Sequence, residues 1–107
     1  MRNVLYSSVL MANTTQFALE YMRNFELKKI IEVQISPFEN DQVMVRFIFE
    51  HNPGWFWTID VKYGFCVGYR GEGPWGLHDL LIEAGYEERE AEKVFKISRY
   101  ETTILTK

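Results

Sequence analysis

Between residues 30 and 61 apolar and polar side chains alternate with a period of two, and that alternation constrains the fold more than any other feature of the chain. Ile31, Val33 and Ile35 alternate with Glu32, Gln34 and Ser36. Val43, Val45, Phe47 and Phe49 alternate with Met44, Arg46, Ile48 and Glu50, and Trp55, Trp57, Ile59 and Val61 with Phe56, Thr58, Asp60 and Lys62. Successive side chains of a strand point to opposite faces, so each run reads as a strand with one apolar and one mixed face. Turn-forming segments, Pro37 to Asp41 and His51-Asn52-Pro53-Gly54, separate the runs. After a tight Tyr63-Gly64 corner, Phe65 to Tyr69 reads as a further short strand. Short connections join antiparallel neighbours, which predicts an antiparallel meander of three to four strands over about 30–69.

A sheet with one apolar face needs a cover on it. Asn13-Thr14-Thr15-Gln16 resembles a capping box, and Phe17, Tyr21 and Phe25 recur every four residues with Ala18 and Met22 beside them. This spacing predicts a helix over about 14–24, packed on the sheet through Phe17, Tyr21 and Phe25. A second cover follows Pro74, which suits a first helical turn. Leu77, Leu80, Leu81 and Ala84 mark its stripe, Gly85 its C-terminal end, and Ala91, Val94 and Phe95 the inner side of a further short helix from Glu87. One or two C-terminal helices over about 75–95 are thus expected, in an α+β fold. Asn3 to Met11 alternates poorly and reads as either a strand or a loose turn. The tail from Ile97 to Leu105, rich in Thr, Tyr and Ile, is left open as a returning strand.

The chain of 107 residues shows no composition break, so a single α+β domain over 1–107 is expected. Its 8 Phe, 6 Tyr and 3 Trp exclude a disordered chain and exceed what one small core requires, leaving apolar surface for a partner. Cys66 is the sole cysteine, which excludes an intrachain disulfide and fits a reducing, cytoplasmic setting. It reads as a small core residue rather than a nucleophile, because neither His51 nor His78 stands at a spacing that would activate it. His78 and Asp79, adjacent on a helix, are expected to point apart. Two histidines without helical or hairpin spacing make no metal site, and no cofactor is implied. The Met1-to-Ala12 stretch superficially resembles a leader, but Asn3, Tyr6, Ser7 and Ser8 interrupt its apolar run. No apolar run approaches the roughly 18 residues of a membrane span.

Net charge is −3, and Lys28-Lys29 is the one adjacent basic pair, which argues against nucleic acid as a partner. Lys62 to Tyr69 shares Lys62, Val67 and Tyr69 with an RNA-recognition signature. Gly64 and Cys66 stand where its stacking aromatics belong, so that reading is rejected. The corner Gly71-Glu72-Gly73-Pro74-Trp75-Gly76 is neither a Walker A loop nor a dinucleotide fingerprint, and reads first as a tight entry into a helix. The acidic run Glu83, Glu87, Glu88, Glu90 and Glu92 reads first as a solvated face.

With no catalytic constellation, the leading expectation is a small non-enzymatic interaction or regulatory protein that contacts another protein, or a second copy of itself. The alternative is a small-molecule-binding domain or minor enzyme with a pocket at the glycine corner, lined by Tyr69, Arg70, Glu72, Trp75 and His78. A third is an acidic nuclease-blocking protein of a phage or mobile element. The mixed sheet face decides between scaffold and surface: covered by the tail it is scaffold, open it is a binding site.

Overall fold

A computed structural model describes the backbone of residues 3–107 and the side chains of residues 6–107; Met1 and Arg2 of the leader-like stretch lie outside the described residues. The fold is α+β, as the alternation predicts. Strands β1 (Asn3–Met11), β2 (Ile30–Pro37), β3 (Val43–Asn52), β4 (Trp55–Lys62) and β5 (Thr103–Thr106) form one sheet in the order β1-β4-β3-β2-β5. Helices α1 (Thr15–Met22), α2 (Glu72–Glu83) and the single turn α3 (Glu88–Ala91) accompany it, with 3-10 turns at Leu27–Lys29 and Glu92–Phe95. The expected second C-terminal helix is therefore half α and half 3-10.

The meander has three strands, β2, β3 and β4, paired antiparallel. Phe65 to Tyr69 is not a fourth. Tyr63, at a φ of 73°, turns the chain out of the sheet plane. At Gly64 an added Cβ would lie 2.6 Å from the Ala18 Cβ and 2.9 Å from the Ala12 Cβ, so only glycine lets the backbone pass beneath α1. Phe65, Cys66 and Val67 are then buried as an irregular layer of the core instead of pairing. Two open questions resolve as strands. Asn3–Met11 runs parallel to β4, which makes the sheet mixed, and the tail returns antiparallel to β2. Parallel strands need a long connection, and here the helix and both hairpins intervene between β1 and β4.

The helix near residue 14 forms, with its cap and its face each shifted. Thr14, not Asn13, is the N-cap: its hydroxyl accepts from the Phe17 amide at 3.0 Å, while Gln16 bonds Glu20 instead of closing a capping box. The buried side chains are Ala18, Leu19 and Met22, and Phe17 remains 48% exposed. The inner stripe is rotated because the small Ala18 lets α1 approach the Gly64 corner, which a Phe at the contact would prevent. The end of α2 follows expectation. Gly85, at a φ of 96°, closes it with the Tyr86 amide bonded to the Leu81 carbonyl and its own amide to Ile82, the Schellman arrangement.

All three helices lie on one side of the sheet. Their buried residues join Val33, Ile35, Val43, Val45, Phe47, Phe49, Ile59, Val61 and Leu105, which share one face, in a single apolar cluster. Each fully buried Leu, Ile or Phe contributes about 1.5–3 kcal/mol, so this cluster dominates stability. No described helix covers the opposite face.

Candidate functional site: the open half of the sheet

The open face carries Ser7, Val9 and Met11 of β1, Phe56, Thr58, Asp60 and Lys62 of β4, Met44, Arg46 and Ile48 of β3, and Gln34 of β2, as the register dictates. β5 extends the sheet in plane and so leaves this face open rather than covering it. Its centre, however, is not an apolar patch. Arg46 and Asp60, directly opposite in the ladder, form a two-pronged ion pair (Nε to Oδ1 2.7 Å, and a second guanidinium nitrogen to Oδ2 3.0 Å), and Asp60 is 6% exposed. Gln34 donates to Glu32 at 2.7 Å. Among these cross-strand neighbours Ile48 is 4% exposed, and Met44 and Phe56 are half-buried. The Asp60 carboxylate also raises the pKa of Arg46, first through its hydrogen bond and then through its charge, against the opposing effect of burial.

Apolar exposure lies at the rim. Val9 and Met11 of β1 are 56% and 57% exposed, and Tyr6 is 52% exposed although its ring meets Trp57 edge-on at 5.2 Å. Trp57 is itself surrounded by Phe25, Phe49 and His51, so β1 is anchored at this end by an aromatic cluster. Among the described residues no strand pairs with the outer backbone of β1. The Ala12 amide donates to the Lys62 carbonyl at 2.9 Å, so Ser8, Leu10 and Ala12 turn their peptide groups to β4. Strand alternation then sends the N–H and C=O groups of Ser7, Val9 and Met11 to the outer edge. A bulge interrupts pairing between Val4 and Tyr6, beyond which the ladder is regular to Met11.

The five residues expected at the glycine corner fall into two groups. Arg70 lies 4.6 Å from the Phe95 ring and 6.0 Å from Trp75, and His78 stands edge-on to Trp75 at 5.3 Å and tilted against Phe95 at 5.5 Å. This cation–aromatic stack links α2 to the 3-10 turn at Glu92–Phe95. Tyr69 and Glu72 instead border a shallow polar depression of about 310 Å³ with Asn13, Thr14, Thr15, Tyr63, Gly64 and Gly73. Burial, followed by the neighbouring Cys66 thiol, pushes the Tyr69 phenol above its ordinary pKa.

His78 and Asp79 do not point apart, as adjacent helical residues were expected to. Nδ1 of His78 lies 3.0 Å from Asp79 and Nε2 lies 2.7 Å from Glu88 of α3. Burial pulls the imidazole pKa down, but the hydrogen bonds to these two carboxylates outweigh it and hold His78 above its ordinary value. With both nitrogens facing carboxylates, His78 clamps α3 to α2 and has no nitrogen left for Cys66. Nothing in the sequence spacing paired His78 with Glu88, because the link depends on how α3 folds back. Among the described residues, no group of three or more His, Cys, Asp or Glu side chains is placed to hold a metal ion, and no helix is long and apolar enough to cross a membrane.

Comparison with known proteins finds no relative: no family model, no curated protein and no solved structure matches this chain.

Proposed function

We propose that this chain is a small, non-enzymatic interaction or regulatory protein that takes its partner on the open half of the sheet, along the β1 edge and the rim of the uncovered face. One observation carries the reading: unpaired strand backbone and the exposed apolar side chains Val9 and Met11 coincide on a single strand. An open strand edge offers a row of donors and acceptors that a partner strand satisfies, while adjacent apolar side chains supply burial. Self-association is one form of this contact. The lone, buried Cys66 is compatible with a reducing cytoplasm as the setting.

The reading is tested by a photo-crosslinking side chain at Val9, with Ile82 of α2 as the control, since Ile82 is also exposed (37%) but lies on a helix. Adducts formed in cells at position 9 and not at position 82 are expected. Equal labelling at both positions, or adducts from neither, overturns it.

A further inference from the structure

The partner at the β1 edge is identifiable from the edge itself, and we infer that it is a second copy of this chain, paired antiparallel through β1 about a twofold axis at Val9. The inference rests on the interaction reading above and specifies its partner.

Three features of β1 point to self-pairing. First, the residues whose peptide groups face outward are Ser7, Val9 and Met11, so the spacing is symmetric about Val9. An antiparallel twofold there sets Val9 opposite Val9 of the second copy and Ser7 opposite Met11, each as a hydrogen-bonded pair. Such pairs exchange both bonds, giving about six ladder hydrogen bonds across the joint. Second, Asn3 to Met11 contains no charged residue, no proline and no glycine. A twofold sets a residue at the axis against itself, so any charge there would meet its like; a neutral strand avoids that, and Val against Val is a favourable β-branched pair. A hydrophobic edge that must stay unpaired is ordinarily blunted by lysine or proline, and β1 has neither. Third, the acidic residues of α3 are at the far end of the sheet. α3 lies beside β5, with Glu90 bonded to the Thr106 amide, and the strand order separates β5 from β1 by three intervening strands. At about 4.8 Å per strand that is roughly 19 Å, some two Debye lengths at physiological ionic strength, so the α3 carboxylates do not oppose the joint, and Asp60, which stands opposite Val9 in the register, is paired with Arg46.

Joining two sheets edge to edge makes one sheet of twice the width and brings the two open faces side by side. The rims formed by Val9 and Met11 then meet at the centre. The five residues from Ser7 to Met11 span about 17 Å on each side, which places the joint at the small end of specific interfaces and predicts a dimer that dissociates on dilution.

The test uses the full chain and two variants, Val9→Lys and Val9→Glu. Analytical ultracentrifugation of the unaltered chain should show a concentration-dependent shift from 12.7 kDa toward twice that mass. Each variant alone sets like charges together at the axis and should weaken association about tenfold or more. An equimolar mixture of the two should restore the dimer, an outcome that misfolding of either variant does not produce. Hydrogen exchange supplies the register: the Ser7, Val9 and Met11 amides should become protected as concentration rises. A chain that stays at 12.7 kDa up to millimolar concentration overturns the inference, as does a dimer unaffected by either variant. If the chain stays monomeric while Val9 crosslinks to a different protein, the second copy is excluded and the interaction reading stands. A monomer with no adduct at Val9 removes both.

Discussion

The two edges of the sheet are built on opposite principles. β5 is four residues long, and at its outer edge Glu90 of α3 accepts from the Thr106 amide at 3.0 Å, while the Tyr86 hydroxyl donates to the Leu105 carbonyl, on the other side of the same peptide, at 3.3 Å. Leu105 is fully buried, and Lys107 reaches back to the Lys28 carbonyl at 2.9 Å. β1 is nine residues long and has no helix beside its outer edge among the described residues; apolar exposure does not separate the two edges, since Val9 and Met11 are more than half exposed and so is Ile104 of β5. One chain thus carries both a short, capped edge and a long, bare one. The capped edge shows how this fold closes a strand that is not meant to pair; the bare one lacks every part of that closure.

The contrast is sharpest in the core. Leu105→Ala removes a side chain buried against Val33 and should cost about 2–5 kcal/mol in denaturant unfolding, releasing β5 from β2. A cost below about 1 kcal/mol would mean that β5 is a loosely held tail, and the edges would then differ in length alone.

The cap itself comes next. Glu90→Gln weakens a hydrogen bond to Thr106 and abolishes the ion pair with Lys93, whose Nζ lies 2.6 Å from the carboxylate. A loss of about 1 kcal/mol is expected, with faster hydrogen exchange at Thr106 and none of that effect at Ser7, Val9 or Met11. Equal changes at both edges would break the comparison.

Acidity acts on the capped edge from two directions. Burial raises the Glu90 pKa, but the bonds from Lys93 and Thr106 outweigh it and the folded value is depressed. Its stabilisation is therefore present above the ordinary carboxylate range, about 4.3, and is lost as pH falls through the lower folded value. His78 has the opposite sign. Its folded pKa is raised, so its contribution is complete below the ordinary value of about 6.5 and is lost as pH rises through the elevated one. Because His78 holds Glu88, and α3 carries Glu90, exchange protection at Thr106 should weaken at both ends of the pH range. The outer amides of β1 touch neither group, and their protection should not follow this profile.

How much of this was legible in the chain depends on the range of the interactions involved. The alternation of Val43, Val45, Phe47 and Phe49 against Arg46 and Ile48 is a local signal, and it located the meander and its core face. The Arg46–Asp60 pair lies within that same register. By contrast, Ser7 and Ser8 blur the pattern of β1, because a strand at the rim has little to bury on either face and so little reason to alternate. The rotation of α1 onto Ala18 and Met22 was hidden because Phe17, Tyr21 and Phe25 have the better local spacing. The decision was made by a tertiary fact, the close passage of Gly64. The His78–Glu88 clamp spans ten residues and a turn, and no periodicity encodes it. Of the five residues expected to share one pocket, the local reading grouped by sequence what the fold divides between a cation–aromatic stack and a polar depression.

The smallest effect tests the bare edge. Val9 is 56% exposed and packs on no helix, so Val9→Lys should change the stability of the isolated chain by less than about 0.5 kcal/mol, measured at concentrations where it is monomeric. A strand held by its inner ladder to β4 and by Tyr6 against Trp57 does not need the Val9 side chain in order to stay in the sheet. If the loss instead approached that of Leu105→Ala, Val9 would belong to the fold and not to a surface, and the absence of charge along β1 would need no partner to explain it. A stability unmoved by the charge, together with an association that the same charge abolishes, separates the two roles within one substitution.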